Sequence, residues 1–308
     1  MERRKFMQHS ALAGASFLSA NVLQASNQKL KNAHFSENPF HLYYAIHDGM
    51  FRNHAGEDFI EQLKFAHDMG FRAMEDNGLM SRSTEMQKKI GDTMSALGMQ
   101  MGVFVLDKGG NGANSIASGK SEYTQVFLDG CKRAVEVAKR VNAKWITMVP
   151  GDFERKLPFG IQTAHVIEAL RKGVEILEPA HLTMVLEPLS DTPDLFLRNS
   201  DQAYAICKAV NSPSCKILFD MFHMQRNEGN IIRNMDLIWD EIGYFQIGNN
   251  PGRNEPGTGE MDYKNIFRHI YEKGFTGVLG MEHGNSIPGK EGEIALIKAY
   301  READNFIK

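Results

Sequence analysis

The chain has 308 residues, 42% hydrophobic and 24% charged, the proportions of an ordinary globular protein and long enough for one large barrel or two smaller domains. Such a composition excludes disorder over most of the length. Its 35 basic and 38 acidic residues leave a net charge of −3 without a long basic run. That excludes an electrostatic footprint for nucleic acid and leaves a small molecule as the expected partner.

Residues 1–25 differ from the rest. Arg3, Arg4 and Lys5 precede a moderately apolar stretch from Ala11 to Leu23, followed by Ala25. This pattern reads as an export signal, and the paired Arg3 and Arg4 suggest the twin-arginine type, so a periplasmic or cell-envelope location is expected. The apolar stretch is shorter than the roughly 20 residues a transmembrane helix needs, so no stable membrane span is expected after processing. Residues 26–38 are polar and read as a linker, and the folded domain is expected over 39–308.

Within it, strand-like runs are predicted at His41–Ile46, Phe71–Glu75, Gln100–Leu106, Lys144–Val149, Leu182–Glu187, Lys216–Asp220, Tyr244–Ile247 and Gly277–Glu282. Helical periodicities separate them. Phe59, Leu63, Ala66 and Met69 share a face closed by Gly70, and Phe127, Cys131, Ala134, Ala138 and Val141 form a second stripe that assigns Cys131 to the core. Alternation of strand and helix implies a parallel sheet with crossover helices. An open doubly wound sheet would alternate in the same way. Eight units match a closed (β/α)8 TIM barrel better, and no GxGxxG follows the first strand. Cys131, Cys207 and Cys215 cannot all pair and lack CxxC spacing, so neither a disulfide framework nor a thiolate zinc site is indicated.

Four runs deliver an oxygen-bearing side chain to their carboxyl ends: Glu187, Asp220, Gln246 and Glu282, at intervals of 33, 26 and 36 residues, about one strand-plus-helix unit each. In a barrel these ends converge on the face that carries the chemistry. Each residue alone suits a surface position or a helix cap equally well. Together, three carboxylates and an amide oxygen make a hard ligand set for one divalent cation, magnesium or manganese before zinc. Such a cation would polarise a carbonyl and stabilise an enediolate, the chemistry of sugar and hydroxyketone isomerases. Glu187 and Glu282, on different strands, would face opposite sides of the enediol.

His223, three residues past Asp220, is positioned to hydrogen-bond a substrate oxygen, with a loop-capping role as the alternative. His47, after the first strand, has a similar address. Arg253, in a turn-rich loop beyond Gln246, suits a carboxylate through its forked donors, or else pairs with Glu255 or Glu260. Glu75 and Asp76 end a strand, where they line the pocket or meet solvent; Glu75 joins His223, Arg253 and His47 as a substrate-binding candidate. The glycines of Pro256-Gly-Thr-Gly259 make no nucleotide loop, since no Lys-Ser or Lys-Thr follows, and Asp262 is expected to cap the next helix.

On two long stretches, Asp220 to Gly229 and Asn250 to Tyr263, the chain resembles the hydroxypyruvate isomerase family of xylose-isomerase-like TIM barrels. The resemblance runs from about Phe40 to Phe306 and is sharpest from Glu187 onward. It implies interconversion of hydroxypyruvate and tartronate semialdehyde, with Glu187, Asp220, Gln246 and Glu282 at the metal positions and Glu187 and Glu282 as the proton-transfer pair. Related ketose 3-epimerases use paired glutamates with a histidine and an arginine resembling His223 and Arg253. They usually carry histidine where Gln246 stands, so the glutamine favours the hydroxypyruvate branch.

Two departures touch substrate contacts. The family's histidines after the third strand are replaced by Val103 to Gly110, and its Glu-Pro-Ile-Asn is Glu187-Pro-Leu-Ser190 here. With the export signal, they make a ketose or other carbohydrate of the cell envelope the competing substrate. A phosphodiesterase or abasic-site endonuclease would need a richer histidine cluster and a basic surface. A non-catalytic sugar-binding barrel is disfavoured by the intact glutamate pair, and homo-oligomerisation stays open.

Overall fold

The structure, a computed structural model, describes residues 38–307. The expected export signal, and the linker apart from Asn38, lie outside the described residues. Eight short strands follow one another with helices between: β1 Tyr43–Ile46, β2 Ala73–Met74, β3 Gln100–Met101, β4 Trp145–Met148, β5 Thr183–Leu186, β6 Cys215–Asp220, β7 Ile242–Gln246 and β8 Val278–Gly280. All seven pairings are parallel, in the order β3-β2-β1-β8-β7-β6-β5-β4. The two ends of this order meet. A parallel bridge joins Val105 to Thr147, with Thr147 N–H donating to the Phe104 carbonyl at 2.8 Å and Leu106 N–H to the Thr147 carbonyl at 3.0 Å. The chain is a closed (β/α)8 barrel.

Each expected strand is present, several of them shorter. The third is regular only over Gln100–Met101, after which Gly102 donates to Met74 O at 2.6 Å and Val103 O accepts from Asp76 N at 3.1 Å. The backbone from Gly102 to Leu106 thus remains bonded to both neighbours while leaving regular geometry. The stripe through Cys131 lies on the helix Ser121–Val141, with Phe127, Cys131, Ala134, Ala138 and Val141 all buried. The helix Phe59–Asp68 buries Phe59, Leu63 and Ala66, and Asp58 caps it by accepting from Ile60 N at 2.9 Å. Among the described residues no helix is long and apolar enough to cross a membrane.

Side chains alternate across a strand with a period of two, so the barrel fills in layers. Ala45, Ala73, Val103, Val185, Leu218, Tyr244 and Val278 form one buried apolar layer, with Trp145 packed against it, one residue for each strand of the barrel. Two residues further along these strands stand His47, Glu75, Val105, Thr147, Glu187, Asp220, Gln246 and Gly280. The apolar layer is the floor of the site, and the next layer carries its chemistry.

The last helix, Gly289–Asp304, is fastened to the first strand. Asp304 accepts from Tyr44 Oη at 2.9 Å and from His41 N at 2.9 Å. Nearby, the buried His283 ring stacks on Tyr300, with Nε2 2.7 Å from Tyr300 Oη and Nδ1 2.8 Å from Gly284 O. A neutral ring satisfies both contacts, donating from Nδ1 and accepting at Nε2.

Gly280 faces Glu75, and a Cβ there would lie 1.9 Å from Glu75 Oε2. Gly280→Ala is expected to destabilise the barrel by about 1–3 kcal/mol through overpacking, measured by urea unfolding. Unchanged stability would mean that Glu75 has room to retreat.

Burial pushes the His283 imidazole from its ordinary 6.5 down to about 3. Between those values the unfolded chain holds one more proton than the folded chain, so stability is lost as pH falls through this window. In His283→Gln the slope of unfolding free energy against pH between about 4 and 6 is expected to drop by about 1.4 kcal/mol per pH unit. An unchanged slope would show that the ring is already charged in the fold.

Candidate active site

The carboxyl ends of β5 to β8 bring the four expected ligands to one place. Glu187 directly follows β5, Asp220 ends β6, Gln246 ends β7 in register with Asp220, and Glu282 lies two residues beyond β8. Glu187, Asp220, His223 and Glu282 each offer a ligand atom within 4.8 Å of the others.

Asp220 divides its two oxygens. Oδ1 caps the short helix Met221–Asn227, accepting from Phe222 N at 2.7 Å and His223 N at 3.4 Å. Oδ2 faces the site, 3.0 Å from Arg253 Nη2 and 3.5 Å from His223 Nε2. The helix that Asp220 starts carries His223 into the cluster. Ser190 N–H donates to His223 Nδ1 at 3.2 Å, with Ser190 Oγ 2.8 Å from the same nitrogen. The other ring nitrogen, Nε2, faces Asp220 Oδ2, lies 3.9 Å from Glu187 Oε1 and is 3.3 Å from Arg253 Nη2. Burial lowers the basicity of His223, with Asp220 opposing and Arg253 reinforcing that shift.

Arg253 reaches in from its loop with a left-handed backbone, φ 50°. Its Nη2 bonds Glu282 Oε2 at 2.7 Å as well as Asp220, its Nε donates to Glu282 O at 3.1 Å, and its guanidinium lies 4.7 Å from the Phe222 ring centroid. Asn77 Nδ2 donates to the other oxygen, Glu282 Oε1, at 2.8 Å.

The carboxylates repel one another in a poorly hydrated space. Burial and the neighbouring Glu282 and Asp220 hold the Glu187 carboxyl well above the usual range, with Arg253 opposing. Burial and Asp220 push Glu282 up to about 7, again against Arg253. Four acids, Glu187, Asp191, Asp220 and Glu282, act on one arginine, an excess of negative charge that suits a bound cation. Gln246 fits the same reading. Its Nε2 points to Glu75, at 3.3 Å and 3.4 Å, while its Oε1 is buried with no hydrogen-bond partner.

His47 and Glu75 lie in the layer of the ligands and are held by the protein itself. The His47 ring has Nδ1 2.9 Å from Asp48 O and Nε2 3.1 Å from His283 O. The buried Glu75 carboxylate accepts from Tyr244 Oη at 3.0 Å and from the Gln246 amide. Asp262 caps its helix as expected, through Asn265 N at 3.1 Å. Sequence reasoning missed Asn77 and Tyr244 as site residues, and it noted Ser190 only as a departure from the family pattern without its bond to His223. Their signals were present: Asn77 directly follows Glu75 and Asp76, Ser190 follows Glu187 by three residues, and Tyr244 precedes Gln246 by one strand period.

Known proteins resemble the chain in sequence and in fold. Hydroxypyruvate isomerase of Escherichia coli is 33% identical over 163 residues, which cover 51% of this chain and 62% of that protein. The chain therefore spans less than two thirds of that relative's length. A 2-oxo-tetronate isomerase of Cupriavidus necator is 30% identical over 138 residues, 44% of this chain and 52% of its own. Among solved structures, an AP endonuclease, family 2, from Brucella melitensis superposes with a TM-score of 0.73 at 22% identity, covering 84% of this chain and 99% of that one. At that identity the likeness speaks for the fold alone. The xylose isomerase-like TIM barrel family model matches residues 63–303, and the chain belongs to that family.

Proposed function

We propose that this protein is a metal-dependent isomerase of small hydroxycarbonyl compounds, with hydroxypyruvate and tartronate semialdehyde as the leading pair. One observation carries the reading: Glu187, Asp220, His223 and Glu282 converge within 4.8 Å, and Gln246, in register with Asp220, keeps a buried oxygen without a partner. The two relatives support the class, since each is named as an isomerase of a small oxo acid.

Glu187, Asp220, Gln246 and Glu282 would hold a divalent cation, magnesium or manganese, which would polarise the substrate carbonyl and stabilise enediolate charge. The proton chemistry belongs to the chain. One glutamate takes a proton from the hydroxyl-bearing carbon, and the other delivers a proton to the neighbouring carbonyl carbon. The hydroxyl proton passes between the two oxygens, so atoms and charge balance. Raised carboxyl affinity for protons suits this cycle, because a base that binds its proton near neutral pH can also return it. His223, its Nε2 facing the site, is placed to hydrogen-bond a substrate oxygen. Arg253, already between Asp220 and Glu282, supplies the positive charge that balances a substrate carboxylate.

We also propose export to the periplasm or cell envelope, on the strength of Arg3, Arg4 and the apolar stretch from Ala11 to Leu23. The test of the reaction is deuterium entry at carbon. Manganese-loaded protein in deuterated water, given hydroxypyruvate, a 2-oxo-tetronate or a panel of ketoses, is expected to exchange one carbon-bound proton of its substrate. Glu187→Gln and Glu282→Gln are each expected to slow that exchange by about 10²- to 10⁴-fold. Exchange at wild-type rate in both variants would remove the glutamates from the chemistry.

A further inference from the structure

We propose that Glu75 is a positioning residue that fixes the Gln246 amide, so that the carbonyl oxygen rather than the amino group is offered to the cation. The inference rests on the cation reading above and concerns how one ligand is made ready for it.

An imidazole ligand has a nitrogen on either edge, but a glutamine side chain has one useful face and one wrong one. Turned one way it offers an oxygen to a cation; turned the other way it offers an N–H₂ that a cation repels. Something must choose. Glu75 lies in the layer of Gln246 and is buried with it. Burial and the nearby Glu282 raise the proton affinity of Glu75, and the Tyr244 and Gln246 hydrogen bonds oppose that rise by favouring the ionised form. As a carboxylate it has only acceptors, so it draws the Nε2 group, found 3.3 Å from Oε1 and 3.4 Å from Oε2. The reversed amide would set its oxygen against two carboxylate oxygens at those distances.

The Glu75 carboxylate is itself held. Tyr244 Oη donates to Oε2 at 3.0 Å. Space for both groups is cut from the adjacent backbone, since a Cβ on Gly280 would lie 1.9 Å from Glu75 Oε2 and one on Gly102 would lie 2.2 Å from Tyr244 Oη. Two positions without side chains thus make room for a tyrosine hydroxyl and a carboxylate directly above the apolar layer of the barrel. The outcome of the arrangement is that the Gln246 amide points its nitrogen at Glu75 and leaves its buried Oε1 without a hydrogen-bond partner in the protein.

The test is Mn²⁺ affinity, read by isothermal titration and by the electron-spin signal of free Mn²⁺, in the full chain. Glu75→Gln, which preserves shape but supplies a donor to the Gln246 oxygen, is expected to weaken Mn²⁺ binding by about 10- to 100-fold, the usual cost of losing an outer partner of a ligand. The swapped pair Glu75→Gln with Gln246→Glu retains the total charge and the atom count, and a carboxylate at position 246 has no wrong face. That pair is expected to recover binding to within about threefold of wild type, a rescue that a merely structural role for Glu75 would not give. Equal Mn²⁺ affinity in Glu75→Gln and wild type overturns the proposal, as does a folded swapped pair without recovery. Should Glu75→Gln fail to fold, the swapped pair and Tyr244→Phe decide the matter, the latter by a smaller loss in the same direction. Wild-type protein that takes up no Mn²⁺ would overturn the cation reading itself, and this inference with it.

Discussion

The constraint on which this structure turns is the burial of carboxylates inside a barrel. Removing an ionised carboxylate from water costs several kcal/mol even after relaxation, and Glu75, Glu187 and Asp220 are all buried, with Glu282 beside them. Every neighbouring group answers that cost. Tyr244, Gln246, Asn77, Arg253 and two backbone N–H groups all donate into the cluster. Burial first, and the neighbouring carboxylates after it, raise the proton affinities of Glu187 and Glu282 by more than one guanidinium offsets. The same shortage of positive charge that makes the cluster costly makes it receptive to a cation and able to handle protons.

The apolar layer beneath makes that electrostatics possible. Tyr244 belongs to both layers, packing its ring with Ala45, Val103, Val185 and Leu218 while its hydroxyl reaches Glu75 above. Asp220 plays a similar double part, its one oxygen starting a helix and its other facing the site. Site geometry is therefore set by backbone: a strand end fixes the aspartate, the aspartate caps the helix, and the helix carries His223.

Much of this was legible in the sequence, and the reason is periodicity. Eight apolar runs, each ended by a polar residue, give the barrel and its active face, and Glu187, Asp220 and Glu282 stand where that pattern set them. His223 was found by its distance from Asp220. What could not be read was the direction in which a hydrogen bond is spent. His47 and Glu75 occupy positions in the right layer, but the first is tied to main-chain oxygens and the second faces inward to Gln246. The bonds of Ser190 and Asn77 escaped because their partners lie 33 and 205 residues away in the chain. No local pattern records a contact of that span.

The fastening of Asp304 to His41 and Tyr44 has a consequence for the order of events in synthesis. The first strand is joined on one side to β2 but on the other to β8, and the helix that locks it ends 263 residues after His41. During elongation that second side has no partner to find until β8 has been made. The barrel cannot close piecemeal behind the ribosome, and Tyr44-Ala45-Ile46 must wait as an open apolar edge, in need of shelter, until β8 is released.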